Sequence, residues 1–239
     1  MKKPLFSFVP LLLALGATAP VFAGEKTQVD ENLAAVEKKL LKEWEKLKSM
    51  TAVRDMQMTM QGVLTKSKGT VEFVNNPDGE RFRIEMTTEM SLGGRELTST
   101  STTIFDGELV HTLSEVMGQK KAFKQKLGAL PQSPAGRQMF KALKEKNDLK
   151  VLPSEKVDGK DAFVIEAAPK GPTAKRIARM KIFLTKQNGI IVKILGYDDA
   201  GTEVMTIVHN NIKVNPQVDE SRFVFKAPED AQIVDFSNR

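Results

Sequence analysis

Three apolar runs near the C-terminus restrict the fold more than any other stretch of the chain. The sequence from Met180 reads MKIFLTKQNGIIVKILGYDDAGTEVMTIVHNNIKV, with Gln187-Asn188-Gly189 and Asp198-Asp199-Ala200-Gly201 between the runs. Asn-Gly and Asp-rich glycine turns between β-branched runs signal hairpins, because the turn needs residues that accept positive φ. At least three antiparallel strands therefore lie side by side. Such a sheet has an apolar face that something else must cover.

Upstream, the clearest alternation is Met50-Thr-Ala-Val-Arg-Asp-Met-Gln-Met-Thr-Met-Gln-Gly62. Its even positions are Met50, Ala52, Arg54, Met56, Met58 and Met60, while the odd positions from Asp55 onward are polar, which is a strand with one apolar and one wet face. Methionine is unbranched and flexible, so it specifies one packed state less well than Val or Ile. The face is either an ordinary core that uses methionine or a cavity that adapts to variable apolar ligands. Arg54 on that face sits at a rim, pairs with a carboxylate, or makes a polar contact inside a cavity.

Further strands read as Thr70 to Val74, Arg81 to Met86, Leu97 to Phe105, Glu108 to Leu113, Leu149 to Leu152 and Ala162 to Ala167, with glycine-bearing turns among them. Phe82, Ile84 and Met86 share one face, which Met90 continues. Helical spacing marks Val29 to Met50, where Leu33, Val36, Leu40, Trp44 and Leu47 form a stripe. It also marks Gln119 to Leu127, with Phe123 and Leu127, and Ala135 to Asn147, with Met139, Phe140 and Leu143. Two amphipathic helices inserted among strands are expected to cover a sheet face, as a fixed layer or a movable lid.

The N-terminus predicts export. Lys2 and Lys3 precede an apolar run from Leu5 to about Ala19 and small residues near Ala23, the pattern of a secretory leader. Pro20 spoils cleavage after Ala19, so the expected cut follows Ala23, leaving residues 24–239 as one domain. Removing the two lysines lowers the formal net charge from +6 to +4. With one Trp and one Tyr, the chain offers little for stacking nucleobases, and no nucleic-acid partner is expected. The absence of cysteine excludes disulfides, thiolate metal sites and a lipid anchor on cysteine.

No catalytic constellation is visible. The two histidines, His111 and His209, lie far apart without a motif, and neither a GxSxG elbow nor an HExxH or EF-hand pattern occurs. The expectation is a binding protein with no enzyme activity, cofactor or metal.

The order of elements, with three local patterns, resembles the LolA-like family of periplasmic outer-membrane lipoprotein carriers. The patterns are Arg81-Phe82-Arg83-Ile84-Glu85 followed by Phe105-Asp106-Gly107-Glu108, the hairpins from Met180, and the closing Phe223-Val-Phe225-Lys-Ala-Pro228 with Ile233-Val-Asp235. The resemblance implies an α+β fold: a strongly curved antiparallel half-barrel of about ten to eleven strands whose concave face is capped by the N-terminal helix and an inserted helical lid. It implies a periplasmic monomer that shelters the acyl chains of a lipid or lipoprotein between an inner-membrane donor and an outer-membrane acceptor. The cavity would be lined by Met56, Met58, Met60, Phe82, Ile84, Met86, Met90 and Phe105. The lid would carry Phe123, Leu127, Met139, Phe140 and Leu143. One departure stands out. The carriers hold their lid closed with an arginine before the proline of an early turn, whereas Asn76 precedes Pro77 here, which leaves Arg54 as the candidate substitute. A sensor that contacts a membrane-bound partner is the second use of such a scaffold.

Overall fold

A computed structural model describes residues 23–128, 131–171 and 176–237. The expected leader, up to Phe22, lies outside them. Helix α1 (Ala23–Lys46) opens the described chain. It is followed by β1 (Ser49–Met60), β2 (Val63–Asn76), β3 (Gly79–Leu92), β4 (Arg95–Phe105), β5 (Val110–Val116) and β6 (Gln119–Gln125), then α2 (Arg137–Lys146). The chain continues through β7 (Asn147–Val157), β8 (Lys160–Pro169), β9 (Arg179–Thr185), β10 (Ile191–Tyr197), β11 (Glu203–Val214) and β12 (Gln232–Asp235).

Among the described residues, twelve strands join one sheet in the order β12-β6-β5-β4-β3-β2-β1-β11-β10-β9-β8-β7. The sheet is curved and does not close, since β7 and β12 are its two edges. Every pairing is antiparallel except β12 on β6. The hairpins from Met180 are β9, β10 and β11, adjacent as their turns require. The long-range pairing of β1 with β11 joins the first strand to the last hairpin and fuses the two runs of strands into one face.

One expectation is corrected. Gln119 to Leu127 is not a helix: residues 119–125 are β6, paired with β5 on one side and β12 on the other. The helical spacing of Phe123 and Leu127 is outweighed by two sets of ladder hydrogen bonds, as strand context commonly does to local propensity. Phe123 thus belongs to the sheet and stacks on Phe236, with ring centroids 6.4 Å apart. Leu127 follows the strand and packs against the core. The lid is therefore α2 alone, with the loop before it.

Helix α1 lays Val36, Leu40 and Trp44 on the concave face, all under 9% exposed, and Trp44 Nε1 donates to Gly189 O at 3.1 Å. Helix α2 adds Met139, Phe140 and Leu143, as its spacing predicts. Trp44 and Phe140 meet at 5.7 Å between centroids, and Lys144–Glu37 and Arg137–Glu45 pairs link the helices outside. The core between helices and sheet is continuous from Phe163, Ile165 and Ile182 across to Phe82 and Phe105.

The C-terminal arm crosses the convex face. Arg222 bridges Glu72 at 2.7 Å and Glu85 at 3.0 Å, Phe223 is buried, and Phe225 stacks on His111. The arm then supplies β12 to the far edge of the sheet, which places the closing Ile233-Val-Asp235 beside β6.

Candidate functional site

The even-numbered residues of β1 all point to the concave face, but their environments change along the strand. Met50, Ala52 and Arg54 are buried, Met56 and Met58 are half-buried at the margin of the core, and Met60 is 37% exposed. Register extends this gradient across four strands. Arg54 is opposite Gly69 on β2, Met56 opposite Ser67, and Met58 opposite Thr65. Gly69, Ser67 and Thr65 in turn face Met86, Thr88 and Met90 on β3, which face Ser101, Ser99 and Leu97 on β4. The helices cover one end of the concave face and leave the other as a trough of thioethers and hydroxyls.

The expected cavity residues divide along this boundary. Phe82, Ile84 and Phe105 are 2%, 5% and 3% exposed and belong to the filled core, with Phe82 and Phe105 stacked at 5.4 Å. They do not line open space, because α2 and its loop fill the concavity above them. Met56, Met58, Met86 and Met90 are half-buried on the open side of this boundary, the first three packed against the edge of the core, and Met60 is 37% exposed. At the β5–β6 end the trough runs into a hollow of about 470 Å³ bounded by Ser114, Val116, Met117, Gln119, Lys121 and Phe123. A broader depression of about 720 Å³ lies on the outer face of β1–β3. Its lining of Glu72, Glu85, Lys213 and Arg222 suits water rather than an acyl chain.

Several hydroxyls on this face have partners within the sheet. Ser67 Oγ and Thr88 Oγ1 are 2.8 Å apart, Thr103 Oγ1 and Thr112 Oγ1 are 3.1 Å apart, and Thr65 Oγ1 donates to Met58 O at 3.0 Å. Once paired they demand little further hydrogen bonding, and the surface behaves as a weakly polar one toward a ligand.

Arg54 stands where the filled core gives way to the trough. It is 6% exposed, its Nε donates to His209 Nε2 at 2.9 Å, and Nη2 donates to Gln132 O at 2.7 Å. The other ring nitrogen of His209, Nδ1, donates to Ile191 O at 2.7 Å, which makes Nε2 the acceptor. Burial and the neighbouring guanidinium together push the imidazole down to about 3, so it is neutral. Ile191 N donates to Pro134 O at 2.7 Å. Arg54, His209, Ile191, Pro134 and Gln132 therefore form a ring of contacts that pins the loop before α2 to β1, β10 and β11.

A second fastening holds the first turn of α2. The Glu80 carboxylate, from the start of β3, accepts from Arg137 N and from Gln138 N, the latter at 2.7 Å. Those amides have no partner inside the helix, so the cap comes from the sheet. Gly136 precedes them at φ 110°, and a Cβ there would lie 2.6 Å from Glu80 Oε2, so only glycine fits.

Arg54 is not exposed at a rim and, among the described residues, forms no ion pair with a carboxylate; it is buried, with bonds to His209 and Gln132 O. It reaches the loop before α2 through Gln132 O, while Asn76 ends β2. The sequence offered His209 only as one of two histidines without a motif, and Glu80 not at all. His209 meets Arg54 only through a pairing that spans 155 positions. Glu80 carries no local sign of capping a helix that begins 57 residues later.

No family model matches the sequence, and no curated protein matches it. Solved structures do. An uncharacterized conserved protein from Thermus thermophilus is 14% identical, with a TM-score of 0.54 over 85% of this chain and 99% of its own. MucB in the Pseudomonas aeruginosa MucA/MucB complex is also 14% identical, with a TM-score of 0.42 over 85% of this chain and 63% of its own. A LolA superfamily protein from Nitrosomonas europaea is 11% identical, with a TM-score of 0.33 over 80% of this chain and 97% of its own. At these identities the likeness is one of fold. The curved, unclosed antiparallel sheet with two helices in its concavity is an α+β half-barrel, the fold shared with the Thermus thermophilus protein.

Proposed function

We propose that this chain is an exported lipid carrier that shields acyl chains in the methionine-lined trough while they cross water toward the outer membrane. The observation that carries this reading is the change of environment along one face of β1. Met50 is fully buried under the helices, whereas Met56 and Met58 are half-buried and Met60 is 37% exposed on the same face. An acyl chain of about 16 carbons loses roughly 12 kcal/mol on exposure to water, at about 0.8 kcal/mol per CH₂, and does not travel unescorted. A carrier must also release its load. Flexible thioethers fit variable chains without a rigid lock, and a lid held by a few hydrogen bonds is a device that opens.

The test is native mass spectrometry of gently purified protein, together with titration of a fluorescent acyl probe. The carrier reading expects bound lipid in the wild type and its loss in Met86→Asp, with the fold retained. A wild type that carries no lipid and binds no probe overturns it.

A second reading has the free edge on its side. Strand β7, eleven residues long, is an edge of the sheet that pairs only with β8 among the described residues, and past Asn147 that edge could accept a partner's strand. A sensor would use that edge to hold a membrane-bound partner. Crosslinking from β7 that recovers one specific membrane protein, with acyl binding absent, would favour it.

A further inference from the structure

Arg54 is held in an unusual way for a buried cation. Among the described residues no carboxylate forms an ion pair with it, and its bonds run to two neutral acceptors, the imidazole of His209 and the backbone carbonyl of Gln132. Burial lowers its pKa only to about 10, so it stays charged at neutral pH. Buried charges are normally paired, because desolvation is repaid chiefly by an opposite charge. A carboxylate or phosphate oxygen is a stronger acceptor for guanidinium than a peptide carbonyl, by roughly twofold in hydrogen-bond energy.

Its location gives that imbalance a use. The next residue on the same face of β1, toward the mouth, is Met56, and the cross-strand neighbour on β2 is Gly69, which contributes no side chain between Arg54 and Met86. From Arg54 to Met60 the strand spans about 20 Å at 3.3–3.4 Å per residue, enough for one acyl chain, since a bilayer leaflet's hydrocarbon is about 15 Å deep. His209 is fixed as an acceptor by its bond to Ile191 O. Gln132 O, by contrast, belongs to the loop that leads into α2, and the same residue's Oε1 is buried without a donor.

We propose that Arg54 receives the anionic headgroup of a single-chain amphipath, a carboxylate or phosphate monoester, whose tail lies along Met56, Met58, Met86 and Met90, and that the headgroup displaces Gln132 O and frees the lid loop. The inference rests on the lipid-binding reading above and narrows it. A diacylglyceryl anchor is uncharged and would leave Arg54 bonded as it is, so the chain's preferred ligand differs from a lipoprotein anchor in charge.

The experiment compares dodecanoate and dodecyl phosphate with methyl dodecanoate and dodecanol, by calorimetry at neutral pH on wild type, Arg54→Lys and Arg54→Gln. Trp44 emission reports on the lid, since its ring packs on Phe140 of α2. The proposal expects at least one anion to bind about tenfold more tightly than either neutral compound. It expects that preference to shrink below about twofold in Arg54→Gln, with methyl dodecanoate affinity unchanged, and to be largely kept in Arg54→Lys. Only the anions should alter Trp44 emission. Preference for dodecanoate alone assigns a fatty acid, and preference for dodecyl phosphate alone assigns a phosphate headgroup. Equal binding of dodecanoate and its methyl ester by the wild type overturns the headgroup assignment and leaves the carrier reading standing, while failure of all four compounds to bind removes both. If Arg54→Gln does not fold, the wild-type comparison, Trp44 emission and Arg54→Lys still decide.

Discussion

The covered and open ends of the concave face share one backbone pattern and differ in what their side chains do. Under the helices, β8, β9 and β10 present Phe163, Ile165, Ile182, Leu184, Ile191 and Ile194, all below 9% exposed. Branched residues of this kind have restricted χ1 and fix a single packing. Toward the mouth, β1 to β4 present Met56, Met58, Met86 and Met90 with Ser67, Thr88, Ser101 and Thr103 between them. There the hydroxyls pair across strands and the thioethers keep their rotational freedom. One end is built to be full and the other to be refilled, and the alternation alone does not distinguish them.

The boundary itself is the place to break that contrast most severely. At Gly69, opposite Arg54, a Cβ would fall 1.7 Å from the Glu85 carbonyl oxygen on β3. No rotamer relieves a collision with backbone, so Gly69→Val should destabilise the protein by about 4 kcal/mol, read as a lower urea midpoint. Within the two ends, Ile165→Ala should cost about 3 kcal/mol, because it leaves a cavity in a fully buried layer. Met58→Ala, which removes the same number of heavy atoms from a half-buried site, should cost about 1 kcal/mol or less. Equal costs would mean that the trough is ordinary core.

How much of this was legible follows the range of the interactions. The hairpins from Met180, the stripe of α1 and the buried face of α2 are local patterns, and each lies where its spacing places it. The methionine alternation of β1 was equally plain. What the sequence could not divide was Phe82 and Phe105 from Met86 and Met90, since all four alternate correctly on their strands. Their difference comes from how far α2 and its loop reach across the sheet. Strand β6 was hidden for a similar reason: QKKAFKQ has no strong β preference, and its state is set by partners on either side, one of them 111 residues away along the chain. The Arg54–His209 contact depends on closing β1 against β11, which no window of sequence contains.

The ring of contacts around Arg54 gives the covered end a pH dependence. The His209 pKa is pushed from 6.5 to about 3, by burial first and then by the Arg54 charge. The folded state therefore binds this proton less well than the unfolded state. The associated stability is present above 6.5 and is lost as pH falls through that value toward 3. Between about pH 7 and pH 5 the loss should be about 2 kcal/mol. His209→Gln keeps an acceptor for Arg54 and a donor for Ile191 O without a titrating group. Urea unfolding at both pH values should show the wild type losing about 2 kcal/mol more than the variant. A shared slope would remove His209 from the acid sensitivity and loosen the account of how the lid loop is pinned.

The smallest effect concerns the other fastening of the lid, and its sign is opposite. Burial raises the pKa of Glu80 above 4.5, while its bonds to Gln138 N and Arg137 N and the Arg137 charge pull the other way without prevailing. A carboxyl raised in the folded state takes up a proton there before it would in the unfolded chain. Relative to Glu80→Gln, the wild type should therefore gain stability as pH falls from neutral toward 4.5, and lose that gain as pH rises through the folded value. Asp106 and Glu85, whose pKa values are lowered, oppose this in the whole protein but are common to both variants and drop out of the difference. The measurement is the wild-type minus variant difference in urea stability near pH 7 and near pH 5, expected to be more positive at the lower value. A more negative difference would mean that the helix cap outweighs burial at Glu80. The first turn of α2 would then be held by charge against its orphan amides, and acid would loosen both fastenings of the lid together instead of setting one against the other.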